Sequence, residues 1–133
     1  MAQSVKYLLD ASVLYPLILR LREGLLLYRD RFAILDLTIY EVGNAVWKAL
    51  RRGAIERPTL VARMFEEVLE RLSVGPRVFE VLDVAMRSNV TFYDASYVYV
   101  ARREGLKLVT EDSDLLKFSE ATSLEAMLKE LKT

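Results

Sequence analysis

Four acidic residues stand at comparable positions in this chain, each close behind a predicted strand. Asp10 directly follows the first predicted strand, and Glu41 lies one turn into the helix after the second. Asp94 and Asp112 follow the third and the fourth predicted strands. The carboxyl ends of parallel strands meet along one edge of a sheet, where the ligand sites of open α/β sheets form. We therefore expect these four carboxylates to converge at that edge.

Converging carboxylates restrict the chemistry that the site can perform. Unpaired carboxylates within a few Å repel one another, so they must take up protons or hold a cation. Oxygen ligands without His or Cys favour Mg²⁺ or Mn²⁺ over zinc. Such an ion leaves coordination positions for phosphate oxygens and water, and it lowers the pKa of that water so that hydroxide can attack phosphorus. The pattern thus indicates metal-dependent hydrolysis of a phosphodiester.

Each acid also has an ordinary structural explanation. Asp10 is suited to cap the helix that follows it. Glu41 stands three residues after Thr38, the spacing of a capping box, and Asp94 has the same spacing from a threonine. Asp112 is typical of a turn. Any one of these acids fits the structural explanation better, and only their repetition after successive strands favours a metal site.

Composition removes several classes of active site. The chain has no His and no Cys, which excludes thiol nucleophiles, Ser-His-Asp triads and zinc sites built on Cys or His. The formal net charge of +0 disfavours a strongly basic nucleic-acid-coating protein but leaves room for a local basic patch. The 133 residues fit one domain, which we place at residues 1–133.

No signal peptide or membrane span is apparent in the sequence. The apolar runs Val13–Leu19 and Leu25–Tyr28 fall far short of the roughly 20 residues that a spanning helix needs. We therefore predict a cytoplasmic protein.

Predicted strands and helices alternate along the chain. The strands are predicted at Val5–Leu9, Phe32–Leu37, Val90–Phe92 and Leu106–Thr110. The helices are predicted at Val13–Arg22, Leu25–Arg31, Thr38–Arg52, Pro58–Leu72, Val78–Arg87, Tyr93–Glu104 and Thr122–Lys132. This alternation predicts an α/β fold, a three-layer α/β/α sandwich with a central, mostly parallel sheet.

Other polar and aromatic side chains could assist the acids. Asn44 lies one turn beyond Glu41 on the same helix face and could orient it or a metal-bound water. Candidate phosphate contacts are Lys48, Arg51, Arg52, Arg102 and Arg103, although such charges are also typical of a solvated face. The tyrosines Tyr93, Tyr97 and Tyr99 fit either base stacking or core packing.

Four short segments together resemble the motifs of a known family. The segments are Leu8–Val13, Thr38–Asn44, Thr91–Ala95 and Leu108–Asp112. Their order and spacing resemble the four motifs of PIN domains over nearly the whole chain. The size and pattern are most similar to the VapC toxins of VapBC toxin–antitoxin pairs.

The resemblance implies a PIN-like α/β/α sandwich, often a homodimer, that cleaves RNA endonucleolytically with Mg²⁺ or Mn²⁺. It also implies a small VapB-type antitoxin partner whose tail occupies the acidic groove. The metal ligands implied by motif are Asp10, Glu41, Asp94 and Asp112. The supporting polar groups are Ser12, Asn44 and Thr110. Asp114 stands beside the fourth motif and could share or replace the role of Asp112.

The sequence leaves two alternative functions open. A receiver or haloacid-dehalogenase-like phosphatase would need further acids beside Asp10, but Ala11 and Ser12 follow it, which disfavours phosphoryl transfer. A non-catalytic PIN-like module would bind RNA or a protein partner through the acidic groove or the predicted helix Pro58–Leu72. Retention of all four acids argues against that module.

Overall fold

A parallel sheet forms the centre of the fold in the computed structural model, which describes residues 5–54, 62–63 and 70–132. Its strands are β1 Tyr7–Leu9, β2 Phe32–Leu35, β3 Glu70–Leu72, β4 Lys107–Val109 and β5 Ala121–Thr122. They lie in the order β3-β2-β1-β4-β5, and every neighbouring pair is parallel. The two strands that carry the first and fourth motifs are therefore adjacent.

Helices cover both faces of this sheet. They are α1 Ala11–Leu21, α2 Leu25–Tyr28, α3 Asp36–Arg51, α4 Val78–Ser88, α5 Phe92–Glu104 and α6 Leu124–Leu131. Side chains along a strand alternate between its faces. Accordingly Tyr7 and Leu9 pack into a core with α1, α3 and α6, whereas Leu8 packs into a second core with α5. The predicted three-layer α/β/α sandwich is confirmed.

Several predicted elements are confirmed, and their sequence signals lie in residues that are close together in the chain. A left-handed glycine, Gly105 at φ +67, ends α5, and such a residue satisfies the last carbonyls of a helix without steric cost. Gly53 at φ +68 follows the last turn of α3 in the same way. The helix predicted at Val78–Arg87 is observed as α4.

The strand predicted at Val90–Phe92 is wrong. Val90 belongs to no strand, and Phe92 is the first residue of α5. Thr91 is the N-cap of that helix, because its hydroxyl accepts a hydrogen bond from the Asp94 amide at 3.1 Å. The capping contact at the helix start outweighs the β propensity of this short run.

The helix predicted at Pro58–Leu72 is wrong at its end. Glu70–Leu72 form β3 and pair with β2, although only Leu72 of the three is even partly buried. Ala62 and Arg63 are helical, and the remainder of that prediction, residues 58–61 and 64–69, lies outside the described residues. The short strand β5 was also missed, because neither edge strand has the buried apolar run of a central one.

Three helix starts are displaced by two residues from their predicted positions, and the first of them is that of α1, which begins at Ala11 and not at Val13. The second strand ends at Leu35 and α3 begins at Asp36, so Thr38 lies inside the helix and forms no capping box with Glu41. The last helix is capped by Ser123, whose hydroxyl accepts from the Ala126 amide at 3.1 Å. No helix in the described part of the chain combines the length and apolar character needed to cross a bilayer.

Candidate functional site

The acids converge at the carboxyl edge of the sheet, but they reach it by two routes. Asp10 follows β1 directly, and Asp112 lies in the loop after the adjacent strand β4. Glu41 is carried by the second turn of α3 and Asp94 by the first turn of α5. Asp94 therefore arrives on a helix N-terminus rather than on a third strand.

Asp10 is held on both of its carboxylate oxygens, and its side chain is buried, with the residue 4% exposed. Its Oδ1 accepts from the Ser12 amide at 2.9 Å and from the Ser12 hydroxyl at 2.6 Å. Its Oδ2 accepts from the Thr110 hydroxyl at 2.5 Å. Burial raises the pKa of Asp10, and the hydrogen bonds from Ser12 and Thr110 oppose that rise. Asp10 is thus both the cap of α1 and a buried carboxyl group at the edge that carries the site.

The two hydroxyls that hold Asp10 also bind the loop after β4. The Thr110 hydroxyl accepts from the Asp112 amide at 3.0 Å, and the Ser12 hydroxyl accepts from the Glu111 amide at 2.9 Å. One set of contacts therefore ties the first motif to the fourth, which is the structural place of the predicted supporting residues Ser12 and Thr110.

A cluster of three carboxylates stands in front of this loop. Among the described residues, Asp94, Asp112 and Asp114 each offer an oxygen, and these oxygens lie within 4.8 Å of one another. The pKa of Asp94 is raised, first by burial and then by the negative charges of Asp112, Asp114, Asp10 and Glu41. All four neighbouring acids thus act on Asp94, which is the electrostatic centre of the site.

This cluster fits a divalent cation with oxygen ligands. Three carboxylates at this spacing, with a raised pKa on the central one, are relieved by a positive charge between them. The donor set contains neither nitrogen nor sulfur, which suits Mg²⁺ or Mn²⁺. The residues that fit the ion most directly are Asp94, Asp112 and Asp114. Asp10 and Glu41 lie outside that group and contribute charge to it.

The structure brings Asp112 and Asp114 to the site together. Asp112 Oδ1 accepts from the Asp114 amide at 2.8 Å and from the Leu115 amide at 3.4 Å, so Asp112 is also the turn residue that its sequence context suggests. This turn carries Asp114 to within 4.8 Å of Asp94. Sequence spacing alone could not separate the two acids, because the turn makes them neighbours.

Glu41 is anchored by a chain of hydroxyl groups that sequence reasoning missed. The buried Tyr97 donates to Glu41 Oε1 at 2.8 Å. The Thr38 hydroxyl lies 2.6 Å from the Tyr97 oxygen and accepts from the Leu35 amide at 3.2 Å. Burial raises the pKa of Tyr97 well above its usual value, and the charge of Glu41 adds to that rise. A helical spacing of three residues, from Thr38 to Glu41 and from Asp94 to Tyr97, was the available signal.

The three candidate tyrosines have three different surroundings. Tyr97 is core-packed and holds Glu41. Tyr99 is partly buried beneath the Arg103 guanidinium, 5.7 Å from its ring centroid. Tyr93 is 61% exposed beside Asp94, so it is the one tyrosine of the three that is open to stack on a ligand.

The predicted phosphate contacts lie away from the acidic cluster. Lys48 and Arg52 are exposed along α3, and Arg51 stacks on Trp47 at 5.2 Å from its ring centroid. These cations lie seven or more residues beyond Glu41, which is about 10 Å or more along the helix axis. Any contact that they make is with more distant phosphates of a bound strand.

The pair at the end of α5 has partners within the fold. Arg102 pairs with Glu120 at 2.8 Å. Arg103 pairs with Glu104 at 2.8 Å and donates to the Ser73 carbonyl at 2.8 Å. Asn44 is exposed and makes no side-chain hydrogen bond within the described part of the chain.

Comparison with known proteins agrees with this geometry. The family model described as PIN domain matches residues 7–121. Exonuclease VapC9 of Pyrobaculum aerophilum is 45% identical over 130 residues, 96% of this chain and 96% of the relative. Ribonuclease VapC3 of the same organism is 38% identical over 87 residues, 61% of this chain and 66% of the relative.

Solved structures show the same fold. The crystal structure of PAE2754 from Pyrobaculum aerophilum superposes with a TM-score of 0.87 at 40% identity, covering 99% of this chain and 98% of that one. A toxin–antitoxin complex from Klebsiella pneumoniae has a TM-score of 0.60 at 16% identity, covering 88% and 96%, and this likeness concerns the fold alone. With the family match, the near full-length relative and the acidic edge, the chain belongs to the PIN domain family.

Proposed function

We propose that this chain is a metal-dependent ribonuclease that hydrolyses phosphodiester bonds at the acidic edge, with residues 1–133 acting as one nuclease domain. The observation that carries the proposal is the grouping of Asp94, Asp112 and Asp114 within 4.8 Å, with the charges of Asp10 and Glu41 added to it. The names of two curated relatives, an exonuclease and a ribonuclease, support a nuclease.

The proposed roles follow from the contacts of each residue. Asp94, Asp112 and Asp114 would hold the ion, and Asp10 and Glu41 would complete its negative surroundings. When bound, Mg²⁺ or Mn²⁺ supplies a Lewis acid for the phosphate and a water of lowered pKa. The other residues position the acids: Ser12 and Thr110 hold Asp10.

We propose internal cleavage of RNA, as the family resemblance implies, although the name of one relative favours an end-directed reaction. A circular RNA of the same sequence as a linear substrate separates the two modes. Internal cleavage linearises the circle with Mn²⁺, whereas an exonuclease degrades only the linear RNA.

The biological setting proposed is the toxin of a toxin–antitoxin pair in the cytoplasm, acting as a homodimer. A small VapB-type protein encoded next to this chain, co-purifying with it and inhibiting cleavage, would support the pairing. Light scattering of the purified protein measures the oligomeric state. A monomeric, uninhibited nuclease would remove the toxin and homodimer parts and leave the ribonuclease proposal standing.

Metal binding and RNA cleavage by Asp94→Asn test the central proposal. We expect the wild type to bind Mn²⁺ in calorimetry and to cleave RNA until chelator is added, and we expect both properties to be lost in the variant. The matched control is Asp83→Asn on α4, whose carboxylate pairs with Arg87 on the surface. No Mn²⁺ binding by the wild type at millimolar concentration, with no cleavage, would favour the non-catalytic module instead.

A further inference from the structure

A cavity of about 230 Å³ lies at the same edge of the sheet as the acidic cluster, although none of the carboxylates of that cluster lines it. Its apolar walls come from Leu35, Leu37, Val74 and Phe92, and its rim includes Tyr93 and Asp36. The walls follow the ends of β2 and β3, one and two strands away from the strand that carries Asp10. The cavity therefore lies on the side of the site away from β4.

The cavity and the acidic cluster share one helical turn. Phe92 and Tyr93 immediately precede Asp94 in the first turn of α5. Consecutive Cα atoms are about 3.8 Å apart, so the backbone of the cavity wall lies within two residues of Asp94. Successive side chains of a helix point about 100° apart, so the cavity and the Asp94 carboxylate lie on different sides of this turn. A nucleotide that uses both would cross the N-terminal turn of α5 between its phosphate and its base.

The size and lining of the cavity suit one planar ring system. Its volume of about 230 Å³ lies below the roughly 300–1,000 Å³ of sites for drug-sized ligands. Tyr93 lines this cavity and is 61% exposed, so much of its side chain is accessible to a ligand. Sequence-specific recognition of RNA uses unstacked bases that lie on aromatic side chains and hydrogen-bond along their edges. An unpaired nucleobase matches these features.

Asp36 gives the cavity a polarity that distinguishes the bases. It is exposed and makes no side-chain hydrogen bond or ion pair within the described residues. An ionised carboxylate is an acceptor only, so it pairs with bases that present N–H groups. Guanine presents two adjacent donors, its ring N–H and its exocyclic amine, whereas uracil flanks its single N–H with two carbonyls. The carboxylate therefore favours guanine most and uracil least.

We propose that this cavity is a base-recognition subsite for an unpaired guanine next to the cleaved phosphate, with Tyr93 stacking on the base and Asp36 accepting from its edge. This inference rests on the proposed ribonuclease function. It assigns Tyr93 and Asp36 to substrate choice and leaves the ion to the acidic cluster.

Cleavage kinetics on four matched RNAs test the subsite. The oligonucleotides differ only in the base next to the cut, and KM and kcat are measured with Mn²⁺. We expect the wild type to prefer guanine. Tyr93→Ala should raise KM about tenfold for every RNA, the scale of one lost stacking contact, while Mn²⁺ affinity stays unchanged. Asp36→Asn should abolish the preference of guanine over adenine and keep kcat.

The control is Phe79→Ala, an aromatic residue on α4 that is 79% exposed and lines no part of this cavity. Guanosine monophosphate is also titrated in EDTA while amide NMR signals are followed, a readout that needs neither metal nor cleavage. We expect shifts at Leu37 and Tyr93 in the wild type and their loss in Tyr93→Ala.

The outcomes separate the two proposals. An RNA-cleaving wild type without base preference, or a Tyr93→Ala variant that behaves like Phe79→Ala, overturns the subsite and leaves the ribonuclease. Nucleotide shifts at Leu37 and Tyr93 in a protein that cleaves no RNA keep the cavity as a base site and overturn the nuclease. Absence of both overturns both.

Discussion

Replacing Tyr97 with phenylalanine removes the hydroxyl that anchors Glu41 and leaves the aromatic ring in the core. The lost contact is the 2.8 Å hydrogen bond to Glu41 Oε1, together with the 2.6 Å contact to Thr38. A hydrogen bond to a charged acceptor is worth about 1.5–3 kcal/mol. Each 1.4 kcal/mol is about a factor of ten in an equilibrium constant, so the contact bounds the loss of Mn²⁺ affinity at about 10- to 100-fold.

We expect about a tenfold loss of Mn²⁺ affinity in Tyr97→Phe, at the lower bound, because Glu41 is exposed and water replaces part of the contact. Calorimetric titration with Mn²⁺ measures this loss directly. The initial rate of RNA cleavage against Mn²⁺ concentration should shift to higher concentration and recover most of the wild-type rate at saturation. That recovery is expected of a positioning residue.

The matched control is Tyr99→Phe, two residues further along α5, whose hydroxyl makes no hydrogen bond within the described part of the chain. Thermal unfolding of both variants separates a loss of folding from a loss of metal binding. Equal Mn²⁺ affinities in Tyr97→Phe and Tyr99→Phe would refute the assignment of Glu41 to the metal surroundings through Tyr97.

Three further predictions concern the metal-free protein. The pKa of Asp94 is raised by burial and by the neighbouring carboxylates, so its contribution to stability is present at low pH and is lost as pH rises through its folded pKa. Asp94→Asn should therefore weaken the pH dependence of the free energy of unfolding, measured by urea titration. An unchanged pH dependence in the variant would contradict this prediction. Thr110→Val removes a hydroxyl bonded to Asp10 at 2.5 Å, and urea titration should show a loss of about 1–3 kcal/mol in the free energy of unfolding, unlike the control Thr122→Val. Gly105→Ala, at φ +67, should lower the free energy of unfolding by about 1–2 kcal/mol. Gly43→Ala inside α3, where the added Cβ meets open space, should raise the free energy of unfolding by about 0.5–1 kcal/mol. Equal unfolding midpoints of the two variants would contradict this prediction.

The parts of the fold that local signals decide could be predicted from the sequence. The apolar run Tyr7–Leu9 followed by Asp10 predicts a strand and a helix cap, and both signals lie in neighbouring residues. The same holds for the end of α5 at Gly105. The alternation of such elements was sufficient to predict the α/β/α sandwich with a parallel sheet.

Edge strands escaped prediction because pairing, not local pattern, makes them. Glu70 and Arg71 are exposed and charged, and they are strand residues only because β2 offers hydrogen-bonding partners. Asp94 was predicted at the site for a partly mistaken reason. The element directly before α5 is the helix α4 and not a strand, and the capping of α5 by Thr91 places Asp94 at the site.

The positions of Asp10, Glu41, Asp94 and Asp112 were visible in the sequence, together with the absence of His and Cys that favours a hard cation. Tertiary structure decided how they are grouped: Asp114 joins Asp94, while Tyr97 reaches Glu41 across 56 residues of chain. The physical reason is range. Caps and periodicity act within a turn or two, whereas the distance between carboxylates depends on how helices from both faces of the sheet pack at one edge.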